Sequence, residues 1–205
     1  MKQELTFSGR VKEELSRQWN EQKHCQIAEI AAIISMCGKV TIDSRDRYAV
    51  KVRTENISVA RKCFTLLEKT FNIEAESLVT INKSKGNTTY TVVVKQHEDA
   101  MKLLQEARLV DGDGEISEEF STSRNMIVHK SCCKRAFLRG AFLASGSMSH
   151  PEKSYHIEMV CASKAKAEQI QKLINSFGLD AKVILRKNSY VVYLKEGSQI
   201  VDLLN

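Results

Sequence analysis

Six cysteines and five histidines hold most of the chemistry open to this chain of 205 residues. Cys25, Cys132 and Cys133, with His24 and His129 close by in sequence, are residue types that bind zinc. Their spacing argues against it. Cys132 and Cys133 are adjacent, which suits one tetrahedral ion poorly, and no Cys-x-x-Cys pair occurs. Buried free thiols near the helix starts are the expectation, and no metal or cofactor is assigned. No cysteine–histidine nucleophile pattern can be read, and His97, His150 and His156 sit in no catalytic pattern. Residues 111–114 (Asp-Gly-Asp-Gly) begin like a calcium loop, but the later ligand spacing is missing, so a solvated turn entering a short helix is expected.

Basic residues are the second chemical resource. Lys51, Arg53, Lys83, Lys85, Lys182, Arg186 and Lys187 fall on or beside hairpin patterns, where they can meet phosphates. The net charge of +6 divides as +3 over residues 1–107, −2 over 108–130 and +5 over 131–205, which suits a polyanionic partner. Few aromatics interleave with these charges, which argues against a platform for stacking single strands. Composition excludes other classes. With 42% hydrophobic and 27% charged residues the chain can bury a core. It shows neither an apolar leader ahead of the cysteines nor a run long enough to span a membrane, so a cytoplasmic protein without membrane contact is expected.

The elements that position these residues repeat. Residues 30–38 (Ile-Ala-Ala-Ile-Ile-Ser-Met-Cys-Gly) and 138–146 (Leu-Arg-Gly-Ala-Phe-Leu-Ala-Ser-Gly) are small-residue-rich helical runs closed by glycines 108 positions apart. Residues 90–104 and 190–204 match at a uniform offset of 100. Ser8 reads as the N-cap of a first helix carrying Val11, Leu15 and Trp19. A helix over 25–37, strands over 39–43 and 48–53, a helix over 57–71, strands over 77–82 and 88–95 and a helix over 98–107 follow. The second copy gives a helix over 132–145, strands over 147–149 and 155–161, a helix over 164–177, strands over 181–185 and 190–195, and a terminal helix. Each unit is αββαββα, an α+β class with antiparallel sheets: repeat 1–107, acidic connector 108–130, repeat 131–205.

Ala28, Ala32 and Met36 align with Ala136, Gly140 and Ala144, each trio spaced i, i+4, i+8 along one helix face. Such stripes let two helices pack closely, and matched stripes are expected to pack on each other about a pseudo-two-fold axis.

These segments resemble the LAGLIDADG motifs of homing endonucleases. Residues 131–147 (Ser-Cys-Cys-Lys-Arg-Ala-Phe-Leu-Arg-Gly-Ala-Phe-Leu-Ala-Ser-Gly-Ser), with His150-Pro151-Glu152, Tyr155-His156-Ile157-Glu158 and the opening Phe7-Ser8 with Val11-Lys12-Glu13-Glu14-Leu15, closely resemble the WhiA family of bacterial regulators. The resemblance covers essentially the whole chain. It implies an internally duplicated LAGLIDADG-like fold whose two sheets form a saddle over DNA. It also implies a C-terminal helix-turn-helix domain as the main DNA reader. No candidate recognition helix remains before Asn205, so the chain is read as the N-terminal part alone.

In the active endonucleases the residue before each closing glycine is an acid, and the pair holds divalent cations. Here those positions are Cys37 and Ser145, which offer no hard anionic ligand. Asp43 and Glu158 are nearby acids, each expected to be a solvated strand residue. The resemblance therefore implies a non-catalytic part of a regulator of sporulation, cell division or chromosome segregation. Its partners would be double-stranded DNA, bound weakly, and its own helix-turn-helix domain or another regulator, at the bacterial nucleoid. The rival reading is a protein-interaction scaffold that contacts a partner or its own C-terminal domain without binding DNA.

Overall fold

In the computed structural model, which describes residues 6–82, 84, 86–110 and 127–204, one element order occurs twice. A leading helix α1 (Phe7–Arg17) precedes α2 (Lys23–Cys37), β1 (Gly38–Ile42), β2 (Tyr48–Thr54), α3 (Ile57–Phe71), β3 (Glu76–Asn82), β4 (Asn87–Val94) and α4 (His97–Glu106). The second copy runs α5 (Ser131–Ser145), β5 (Gly146–Met148), β6 (Ile157–Cys161), α6 (Lys164–Asn175), β7 (Lys182–Arg186), β8 (Ser189–Leu194) and α7 (Gly197–Leu204). Both sheets are antiparallel with matching order, β1-β2-β4-β3 and β5-β6-β8-β7. The fold is α+β, as the sequence pattern predicts. The connector's Asp-Gly-Asp-Gly turn lies outside the described residues.

Local chemistry fixes the element ends. Asn56 opens α3 by accepting hydrogen bonds from the Ser58 and Val59 N–H groups, and Asn72 closes it in a left-handed conformation at φ 54°. Ser163 caps α6 through the Lys166 N–H. In β2, Val50 and Val52 are buried while Lys51 and Arg53 are exposed, the alternation of a sheet with one face on a core.

The longest-buried element is α2, apolar nearly all round because it serves two cores. Ile30, Ile33 and Ile34 pack into the first repeat with Leu66, Leu67 and Phe71. Cys25, Ala28 and Ala32 join the second repeat's core with Ala136, Phe137 and Ala141. At Gly38 and Gly146 each central helix passes straight into a strand. Both glycines are extended, at φ −85° and −78°, so they serve space and not a left-handed turn. A Cβ on Gly146 would collide with the Phe142 ring and carbonyl, and one on Gly38 with Ile34.

The N-terminal helix departs from expectation. Thr6, not Ser8, is its N-cap, accepting from the Gly9 N–H at 3.1 Å. Ser8 lies inside α1, and its hydroxyl accepts from the Met148 N–H of the second repeat at 3.2 Å. Trp19 falls beyond the helix and packs on the first core, whereas Val11 and Leu15 pack on the second. So α1 bridges the repeats, touching both α3 and α5. No helix among the described residues is long and apolar enough to cross a membrane.

Candidate nucleic-acid interface and the seam behind it

The seam is the contact of α2 with α5, the most extensive between any two helices here. Ala28, Ala32 and Ala136 are fully buried, Gly140 is buried, and Met36 and Ala144 are half-buried. Gly140 shows how close the backbones come. A Cβ there would stand 3.0 Å from the Ala32 Cβ and would overlap the Glu29 carbonyl oxygen. Without side chains in the way, the helices reach a separation that larger residues forbid.

Glu29, buried on α2, carries an ionic cluster that no sequence pattern announces. Arg139 of α5 donates to it from Nε at 3.0 Å and from Nη2 at 2.8 Å, and the Lys62 ammonium of α3 lies at 3.5 Å. Lys62 also donates to the Gln18 carbonyl and stacks over Trp19 at 5.2 Å, with Lys69 on the same ring at 5.4 Å. Burial lowers the Lys62 pKa despite its acidic partner.

At the C-terminal end of the seam stand Cys37 and Ser145. The Cys37 thiol donates to the Ile33 carbonyl at 3.3 Å, and the Ser145 hydroxyl donates to the Ala141 carbonyl at 3.3 Å. Each is turned back one helical turn onto its own backbone. Burial pushes the Cys37 pKa up to about 12, so the thiol is neutral. Lys12 of α1 comes near enough to interact with Cys37, and its ammonium sits 5.9 Å from the Phe142 ring. Burial pulls the Lys12 pKa down to about 8. A protonated thiol, a hydroxyl and a neighbouring ammonium do not fit a hard divalent cation, which needs converging anionic oxygens.

The nearby acids Asp43 and Glu158 are both engaged with other side chains. Asp43 is not a strand residue: it closes the β1–β2 turn by accepting from the Arg45 and Arg47 N–H groups and from Arg47 Nε. Those hydrogen bonds hold its carboxyl below the usual range. Glu158 is a strand residue of β6 as expected, but half-buried: its side chain is 17% exposed and meets His156 at 3.0 Å, Arg186 at 3.2 Å and Ser147 at 3.3 Å. Partial burial pushes its pKa up, but His156 and Arg186 outweigh that and leave it lowered.

The basic residues scatter over the helix-free faces of both sheets. Lys51 and Arg53 project from β2, and register pairing sets Lys39 of β1 opposite Lys51, an addition that the linear spacing did not suggest. Thr91 stands opposite Arg53 and Leu78 opposite Thr91, so the cations share this face with an exposed apolar side chain of β3. On the second sheet Lys182 pairs with Asp180 at 2.7 Å and Arg186 with Glu158, whereas Lys187, in the β7–β8 turn at φ 54°, makes no ion pair among the described residues. Lys51 and Arg53 also make no ion pair among the described residues. Lys83 and Lys85 lie outside them. At the opposite end of the seam Cys25 and Cys133 are buried free thiols, as expected, but they come together with His24 and half-buried Cys132, while His129 is exposed and no member of the group.

Two family comparisons match the chain: the WhiA N-terminal LAGLIDADG-like domain over residues 23–110 and the WhiA LAGLIDADG-like domain over residues 134–205. The chain is 48% identical over 201 residues to the probable cell division protein WhiA of Lachnoclostridium phytofermentans, covering 98% of this chain and 64% of that protein. It is 43% identical over 203 residues to the protein of the same name from Clostridium perfringens strain 13, with 98% and 64% covered. The chain therefore spans about two-thirds of these relatives, 64% of each. Among solved structures it is similar to the N-terminal LAGLIDADG domain of DUF199/WhiA, with TM-score 0.74, 22% identity and coverage of 98% and 90%. It is also similar to I-DmoI in complex with DNA and Mn, with TM-score 0.59, 13% identity and coverage of 88% and 94%. At these identities the structural likeness establishes the fold.

Proposed function

We propose that this chain, which belongs to the WhiA family, forms the non-catalytic LAGLIDADG-like part of a DNA-binding transcription regulator acting in cell division, sporulation or chromosome segregation. The observation that carries the reading is the paired loss at the seam. Cys37 and Ser145 each hydrogen-bond their own helix, while the exposed sheet faces keep Lys39, Lys51, Arg53 and Lys187. A saddle without hydrolytic ligands but with cations on its helix-free faces can neutralise phosphates and cannot hold the metal that would cut them. Its place would be the bacterial nucleoid, and a helix-turn-helix domain elsewhere in the protein would supply sequence preference.

Binding by this chain should be weak, and log affinity should fall with log salt by about 0.9 per phosphate contacted. Reversing charge at Lys51, Arg53, Arg186 and Lys187 together should lower both affinity and slope with circular dichroism unchanged. Supercoiled plasmid incubated with Mg²⁺ or Mn²⁺ should stay intact. Nicking that vanishes on mutation of Asp43 or Glu158 would overturn the non-catalytic reading.

The interaction-scaffold reading has its own support. Leu78 at 52%, Val79 at 58% and Ile81 at 67% exposure make β3 an apolar edge, and Leu185 at 63% does the same on β7. Uncovered edges of this kind suit strand or domain docking. Absence of DNA binding at low salt, with binding to the C-terminal domain or a protein partner, would favour it.

A further inference from the structure

The N-terminal end of the seam gathers His24 Nδ1 and the sulfur atoms of Cys25, Cys132 and Cys133, all within 4.8 Å of one another. The imidazole nitrogen lies 3.3 Å from Cys25 Sγ and 3.2 Å from Cys133 Sγ. Zinc bound tetrahedrally at about 2.3 Å to sulfur and about 2.0–2.1 Å to nitrogen sets its N···S edges at about 3.5 Å. The existing edges are within a few tenths of an ångström of that value. We propose that these four side chains form a structural Cys₃His zinc site joining the two repeats.

The adjacency of Cys132 and Cys133, which counts against chelation in a linear reading, is resolved by where they sit. Both lie in the first turn of α5, and His24 and Cys25 lie in the first turn of α2. Every Cβ of a helix tilts toward its N-terminus, so two successive first-turn side chains can both reach the space ahead of the helix. The offset of 108 that relates the central helices pairs His24 with Cys132 and Cys25 with Cys133. Each repeat thus contributes two ligands from equivalent positions, one dyad facing the other.

Electrostatics favour the same assignment. Neither helix start has a side-chain cap, and neither first turn contains an acid. Two helix N-termini carry roughly half a positive charge each, which suits three thiolates around a divalent ion, a centre of net charge about −1. Cys25 and Cys133 are buried and His24 and Cys132 half-buried, a closed shell of soft ligands. Four protein ligands fill a tetrahedral shell and leave no coordination position for substrate, so the effect of the ion is to tie the seam at the end away from Cys37 and Ser145.

The test uses the whole chain, purified under reducing conditions from cells grown with zinc. Elemental analysis should find one zinc per chain. After chelation, Co²⁺ should give the intense visible bands of tetrahedral thiolate cobalt and be displaced by Zn²⁺. Cys132→Ser should weaken cobalt binding more than about a hundredfold, beyond what second-shell changes achieve, while Cys161→Ala retains it. Chelation should lower the melting temperature of the parent chain but not that of Cys132→Ser. Less than stoichiometric zinc with featureless cobalt spectra, or a Cys25 disulfide to Cys132 or Cys133 in protein isolated without reductant, would overturn the site.

Discussion

Arg139 grips Glu29 across the seam with both carboxylate oxygens engaged, from residues 110 positions apart. Arg139 and Glu29 stand in different repeats, and Lys62 approaches the same carboxylate. The cluster has no counterpart at the pseudo-symmetric position, where Ala31 aligns with Arg139 and Phe137 with Glu29. The seam is therefore symmetric in shape and asymmetric in charge.

Glu29→Gln should destabilise the chain by about 3–5 kcal/mol, because it leaves the buried Lys62 and the half-buried Arg139 without their anion. Urea denaturation at neutral pH measures it. The double variant Glu29→Leu/Arg139→Leu should lose less than its two single variants combined, since the partners act through one contact. Additive losses would show that the contact contributes little.

Gly140→Ala should cost on the order of 1–3 kcal/mol and Gly140→Leu more, since the added Cβ meets the Glu29 carbonyl and Ala32. A Gly140→Ala chain with an unchanged denaturation midpoint would mean the helices separate freely.

Lys12 supplies a pH signature. Its pKa is lowered from 10.5 to about 8 by burial, so between those values the unfolded chain binds the extra proton and stability rises with pH. Cys161, raised to about 11, and Cys37, raised to about 12, act oppositely above the ordinary thiol value of 9.0, where the unfolded thiols ionise first. Between about pH 7 and pH 9 the parent chain should therefore gain up to about 1 kcal/mol relative to Lys12→Met. Denaturation of both chains at the two pH values checks it, and a constant difference would mean Lys12 stays solvated.

Much of the fold was legible because it rests on local periodicity. The alternation that places Lys51 and Arg53 outward between Val50 and Val52 is visible in the sequence, as are the duplicated glycine-closed helices. The ionic cluster was not, because its members lie on three helices and each reads alone as a surface charge. The Cys–His group is partly legible: the residue types stand out in the sequence, but helix direction, not spacing, decides whether neighbours can share an ion. Ser8 misled because a serine before a helical stripe is a good cap signal, and Thr6 two positions earlier is another.

The bridging position of α1 bears on how the duplicated chain can be divided. Its Val11 and Leu15 lie against the far core, its Ser8 holds Met148, and Lys166 reaches back to the Ser35 carbonyl at 2.7 Å. A chain nicked between residues 110 and 127 would thus remain a complementing pair, each piece finishing the other's surface. Two copies of the second half would not substitute for it, since among the described residues that half has no helix in the place of α1. The two repeats share an element order, yet each is a part that the other completes.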